Sequence, residues 1–161
     1  MFTHLDDKNK ACMVDVSAKL PTRRTATAES RVILPPEVLQ HFNGKDIDSK
    51  KGSVFQTAII AGIMASKKTH DLIPMCHPVG LEDCKISIEL NAQQEVVIQA
   101  TTTVTHKTGI EMEALTAVSI AALTIYDMCK GISHNISIEG TRLLKKTGGK
   151  SDISVECDSL K

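Results

Sequence analysis

The stretch LEDCKISIELNAQQEVVIQATTTVTHKTGIEMEALTAVSIAALTIYDMCKG, Leu81 to Gly131, decides the fold. Its first half alternates: Cys84, Ile86, Ile88 and Leu90 share one face, and so do Val96, Ile98 and Ala100 beyond the polar link Asn91 to Gln94. Successive side chains of a strand point to opposite sides, so this pattern predicts a hairpin with one buried face. The second half changes period. Thr108 and Glu111 stand at capping-box spacing before an apolar run from Ile110 to Lys130, and Gly131 stops it, which predicts a long helix. That helix is apolar nearly all round, as one buried on several sides should be. A single small domain offers little to bury it so thoroughly, so a partner subunit is expected.

Upstream, KGSVFQTAIIAGIMASKKT places Ser53 and Gln56 at capping-box spacing and Phe55, Ile59 and Ile63 at successive i+4 steps, predicting a first long helix. TAESRVIL, Thr27 to Leu34, alternates Ala28, Ser30, Val32 and Leu34 as a strand does, and a short helix is expected from Pro35 and Pro36. Downstream, HNISIEGTRLL predicts a last strand. Residues 1–24 are polar and read as an arm, mobile until something binds it, and residues 147–161 as a loose Gly- and Lys-containing tail. A single catalytic domain is left at 25–146. The order β, α, α, β, β, α, β points to an α+β fold: a ferredoxin-like antiparallel sheet with two long helices packed on one face.

Composition narrows the function. The chain has 161 residues, 42% hydrophobic, enough for one globular domain with a core of Ile, Val, Leu, Met and Ala. Aromatics are 2%, with no Trp and one Tyr, so the stacking platforms of single-strand nucleic-acid binders are missing. Nineteen basic side chains balance nineteen acidic ones, leaving no global field for polyanions. Any anion site must be local, and nucleic acid is not expected as a partner. Five cysteines, Cys12, Cys76, Cys84, Cys129 and Cys157, form no CxxC pair and suit a reducing cytoplasm. The polar start MFTHLDDKNK has no apolar leader core, no run is expected to reach membrane-spanning length, and no membrane partner is expected.

Four constellations carry possible chemistry, each beside a plainer reading. Lys51 precedes the first long helix, whose N-terminus favours anions, but alone it reads as a solvated lysine. Glu111 and Glu113 occupy the first turn of the second helix, where the dipole favours carboxylates anyway. Asp127 and Lys130, three apart near its end, share a face as an acid/base pair or as an ordinary ion pair. Every other residue from Ala114 to Met128 is uncharged, and an isolated carboxylate in an apolar helix needs a reason, which tilts the reading toward function. KKTGGKS, Lys145 to Ser151, could close over phosphates but does not have the GxxxxGK[ST] spacing of a Walker A loop. In DLIPMCHPVG, Asp71 to Gly80, two prolines stiffen the connection holding Cys76 and His77. Adjacent side chains of an extended segment diverge, so His77 is poorly placed to activate Cys76, and no second ligand pair at zinc spacing supports a metal.

Taken together, MVDVSAK (13 to 19), KGSVFQTAIIAGI with KKT and LIPMCHP (51 to 78), KTGIEMEALTA with AALTIYDMCK (107 to 130), and GGKS (148 to 151) resemble the molybdenum-cofactor biosynthesis protein C (MoaC) family. Members of that family are cyclic pyranopterin monophosphate synthases. The resemblance implies a homohexamer of ferredoxin-like subunits, a trimer of dimers with sites at subunit interfaces. It implies conversion of a cyclic dihydro-GTP intermediate into cyclic pyranopterin monophosphate, release of pyrophosphate, and no redox or metal cofactor. Catalysis would fall on Asp127, Lys130 and Lys51. Substrate contact would fall on Met75, Cys76, His77, Met112 and Glu113 with Glu111 beside them, and on Lys146 and Lys150. Ile59, His106, Asp152 and Ser53 depart from the family's usual arginine, glycine, glycine and aspartate, and Asp152 bears on a phosphate-closing tail. Two rival classes remain: a purine or pterin nucleotide-binding oligomer without chemistry, and an oligomeric structural protein.

Overall fold

In the computed structural model, which describes residue 8 and residues 10–155, the central strand β1 (Thr22–Ile33) pairs antiparallel with two strands. On one side lies β5 (Glu95–His106), itself paired to β4 (Asp83–Leu90); on the other lies β6 (Ser137–Thr147), which carries the two-residue β7 (Ile153–Ser154). The sheet order is β4-β5-β1-β6-β7. Two long helices, α2 (Val54–Ser66) and α4 (Glu111–Cys129), pack against each other and on the sheet. This is the ferredoxin-like α+β arrangement. Short pieces complete it: α1 (Pro36–Leu39), the ribbon β2 (Asp48–Ser49) with β3 (Gly52–Ser53), and α3 (Thr69–Leu72), which the sequence pattern did not signal.

The β4–β5 hairpin follows the alternation. Cys84, Ile86, Ile88 and Leu90 pack against the core from an edge strand, while Val96, Ile98 and Ala100 are fully buried. Asn91 shapes the link: its Oδ1 accepts from the N–H groups of Gln93 and Glu95 at 3.0 and 2.8 Å. Small side chains let the helices approach. A Cβ on Gly62 of α2 would stand 2.8 Å from Ala117 O of α4 and 2.6 Å from Ile86 Cδ1. Ala121 Cβ stands 3.4 Å from the same point, and alanines 114, 117, 121 and 122 of α4 are all fully buried.

Several expectations are corrected. Strand β1 starts at Thr22, so Arg23 and Arg24 belong to the sheet; β6 runs through Thr147. Neither capping box forms. For α2 the cap is Asp46, whose Oδ1 accepts from Phe55 N–H at 2.8 Å and Oδ2 from Gln56 N–H at 3.3 Å, while Ser53 Oγ donates to Oδ2 instead of to the helix. For α4 the N-cap is Ile110 and Thr108 makes no cap bond; the C-cap is Lys130, one residue before Gly131. By length and composition α4 would cross a membrane, contrary to expectation, but half of it is buried on the sheet and α2 as a core helix. Residues 1–7 and 9 of the arm, and Cys157, lie outside the described residues.

Candidate active site

At its N-terminal end α4 opens into a cavity of about 430 Å³. Its walls come from three directions. The stiff turn after α3 brings Met75, Cys76 and His77, the first turn of α4 brings Glu111, Met112 and Glu113, and the ends of β1 and β6 bring Arg24, Lys146, Gly149 and Lys150. All eight expected substrate-contact residues line this one cavity. Arg24 and Lys19 line it too, and neither was expected. For Arg24 the signal was there: carrying the Ala28, Ser30, Val32 alternation back two steps puts Arg24 on the helix-facing side of the sheet's end. It was hidden by treating residues up to 24 as an arm.

Charge is arranged in opposition. Lys146 Nζ donates to Glu111 Oε1 at 2.9 Å. Burial works against ionisation of Glu111, but the Lys146 hydrogen bond, its own backbone N–H and the charges of Lys146 and Arg24 outweigh it and hold the carboxyl below its ordinary range. Glu113, two residues on and buried, goes the other way. Burial pushes it up, the Glu111 charge adds to that, and its own N–H and His70 only partly offset both. Burial and the Glu113 carboxylate also raise the Cys76 thiol, which disfavours its thiolate form. His77 Nε2 is taken up by Val14 O at 2.8 Å.

The tail turns back over the cavity's rim. Gly148 has φ +83° and lies so close to β1 that a Cβ would stand 2.0 Å from Arg23 O; Thr22 Oγ1 donates to Gly148 O at 2.7 Å. Asp152 Oδ1 accepts from Gly148 N–H at 3.0 Å, so the aspartate closes the Gly148–Asp152 turn.

The three expected catalytic residues sit elsewhere, at the opposite end of α4. Lys130 Nζ lies 2.6 Å from Asp127 Oδ1 and Lys51 Nζ, from the β2–β3 ribbon, 3.6 Å from Oδ2. Side-chain exposures of 47%, 56% and 63% for Lys130, Asp127 and Lys51 place the cluster at the surface. The reason inferred for Asp127, isolation among apolar neighbours, therefore fails within one chain; two lysines surround it instead. The Lys130 hydrogen bond and charge, then Lys51, hold Asp127 below its usual range, and the same pairing raises Lys130. Asp127 is thus a carboxylate and Lys130 an ammonium across the neutral range. Glu113 and Asp127 are fourteen residues apart on one unbroken helix, roughly 21 Å along its axis at about 1.5 Å per residue.

The fold and the cavity define a ferredoxin-like protein with a two-signed cavity of small-molecule size and a separate surface carboxylate between lysines. More particularly, the chain belongs to the MoaC family, whose model matches residues 13–149. A protein of Xanthomonas oryzae pv. oryzae named cyclic pyranopterin monophosphate synthase is 52% identical over 152 residues, covering 94% of this chain and 92% of that protein. One of Desulfitobacterium hafniense with the same name is 48% identical over 160 residues, covering 99% and 97%. A molybdenum cofactor biosynthesis bifunctional protein of Synechocystis sp. is 51% identical over 158 residues, which cover 96% of this chain and 46% of that protein.

Proposed function

We propose that this chain is a cyclic pyranopterin monophosphate synthase of molybdenum cofactor biosynthesis. It is a lyase that takes the cyclic dihydro-GTP intermediate to cyclic pyranopterin monophosphate and releases pyrophosphate. The observation that carries the reading, beside the family, is the two-signed cavity. Arg24, Lys146 and Lys150 suit a triphosphate, and Glu111 and Glu113 suit the donor-rich edge of a purine-derived ring. The rearrangement moves protons at ring and ribose positions. Asp127, already ionised, serves as base, and Lys130, already protonated, as acid; Lys51 supplies a second proton carrier on the far side of Asp127.

One compact nucleotide does not span both ends of α4, so the working site takes the cavity of one chain and the Asp127 cluster of another. Ile60 and Met64 on α2 and Leu123 on α4 are more than half exposed and supply apolar surface for a pairing of copies. A trimer of such dimers, a homohexamer, is the assembly proposed. The four described cysteines are free thiols, which supports a cytoplasmic location. The deciding experiment mixes pure protein with the cyclic dihydro-GTP intermediate and separates the products. Pyranopterin plus pyrophosphate is expected; saturable binding with no product would leave a nucleotide-binding oligomer, and no binding would remove both.

A further inference from the structure

One side of the cavity is made by a segment in no helix or strand. Val14, Val16 and Lys19 line it, from a run whose own bonds are local: Ser17 N–H donates to Asp15 Oδ1 at 2.8 Å and Lys19 N–H to Val16 O at 3.1 Å. Such contacts shape a turn but do not hold it over an opening. Two side chains from separate parts of the fold do that. His77, on the stiff turn, donates from Nε2 to Val14 O at 2.8 Å, and Lys107, in the loop joining β5 to α4, donates from Nζ to Ser17 O at 2.8 Å. The Lys107 backbone is in turn fixed by Arg24, whose Nε donates to His106 O at 2.9 Å and whose Nη2 donates to Lys107 O at 3.1 Å. The cavity cation Arg24 and the latch Lys107 are therefore one connected unit.

We infer that Lys107 is a positioning residue: with His77 it latches residues 13–19 as a strap over the cavity and holds the Lys19 ammonium at its rim. Lys107 does not line the cavity; its link to the cavity's cations is its backbone carbonyl, which accepts from Arg24. A charged donor on a carbonyl is roughly twice as strong as a neutral one, so this single bond accounts for much of what keeps a short irregular segment closed. Because substrate must enter and pyrophosphate must leave, the strap has to open in each cycle, and the latch sets how readily it does. Losing it weakens ligand retention while leaving the Asp127 cluster, at the other end of α4, untouched.

The kinetic arm of the test rests on the proposed reaction; the exchange arm does not. Full-length Lys107→Met and Lys107→Arg proteins are compared with wild type by hydrogen–deuterium exchange over residues 13–19, and by kinetics with cyclic dihydro-GTP. Lys107→Met should speed exchange of the strap roughly tenfold, the equivalent of about 1.4 kcal/mol, with β5 and α4 unchanged. It should raise KM by a similar factor with kcat within about twofold, and Lys107→Arg should restore both. Unchanged strap exchange in Lys107→Met overturns the latch whatever the kinetics; faster exchange with an unchanged KM overturns its role in retention. Should Lys107→Met lose its cooperative thermal transition, Lys107→Gln replaces it in the same two measurements. If wild type makes no product, inorganic pyrophosphate serves as the probe. Protection of residues 13–19 by pyrophosphate that Lys107→Met abolishes then supports the strap, and equal protection in both proteins overturns it.

Discussion

The Lys130 hydrogen bond and charge and, behind them, Lys51 hold Asp127 below its ordinary carboxylate range, all in solvent. Asp127→Asn keeps the shape and removes the proposed base, so substrate binding should survive while product formation stops; retained turnover in a quenched-flow or end-point assay would take Asp127 out of the mechanism. Lys51→Ala and Lys130→Ala should likewise abolish turnover with the thermal midpoint nearly unmoved, because both side chains are exposed and outside the core. Glu113 is the opposite case. Its folded pKa is raised, chiefly by burial, above the ordinary 4.5, so its favourable contribution is fully present below that value and is lost as pH rises through the folded pKa. At neutral pH its buried charge opposes folding. Glu113→Gln should therefore raise the melting temperature at pH 7 and give no gain below about pH 4, read by calorimetry at both; no gain at pH 7 would mean the carboxylate is better solvated than its burial implies. At this scale residue types were legible and their partners were not. Asp127 and Lys130 could be paired by spacing, whereas Lys51, seventy-six residues upstream, joins them only through the fold.

Elements formed where hydrophobic period and turn chemistry agreed, and their ends moved where a distant side chain supplied the cap. Asp46 satisfies the free N–H groups of α2 from outside the helix, and it also holds Ser53 and so the ribbon that carries Lys51. Asp46→Ala should cost about 0.5–2 kcal/mol, the usual range for a lost N-cap, and should also lower turnover by loosening Lys51. Several hydrogen bonds overcome the burial of Asp46 and depress its pKa, so that contribution is present above the ordinary 3.8 and disappears as pH falls through the folded value. Wild type and Asp46→Ala should thus converge in denaturant midpoint in strong acid. A capping box read from Ser53 and Gln56 missed this because Asp46 is beyond the window that a local rule inspects. The same holds for β1, whose start at Thr22 is decided by partners: Thr22 to Arg24 pair with Val104 to His106 of β5.

For the whole molecule, the separation of Glu113 from Asp127 along α4 requires that a functional site, if it uses both, be assembled from two chains. Inactive Glu113→Ala and Asp127→Ala proteins, mixed and allowed to exchange subunits, should recover part of the activity, since some mixed dimers contain one intact site. No recovery despite verified exchange would place a complete site in each chain. Alternation, periodicity and turn residues by themselves determined the main order β, α, α, β, β, α, β, the inward faces of β1, β4 and β5, and the two long helices, because each of these depends on neighbours within a few residues. The candidate site residues came from the family resemblance, since local pattern alone left Lys51, Cys76, His77 and the tail lysines with plainer readings. Only the tertiary structure decided that these residues form two groups at opposite ends of one helix, that Arg24 and Lys19 join the cavity, and that Asp46 caps α2. Those outcomes depend on strand register, sheet order and helix packing, in which residues far apart in sequence compete for the same hydrogen bonds and the same buried space, and no local pattern records the result.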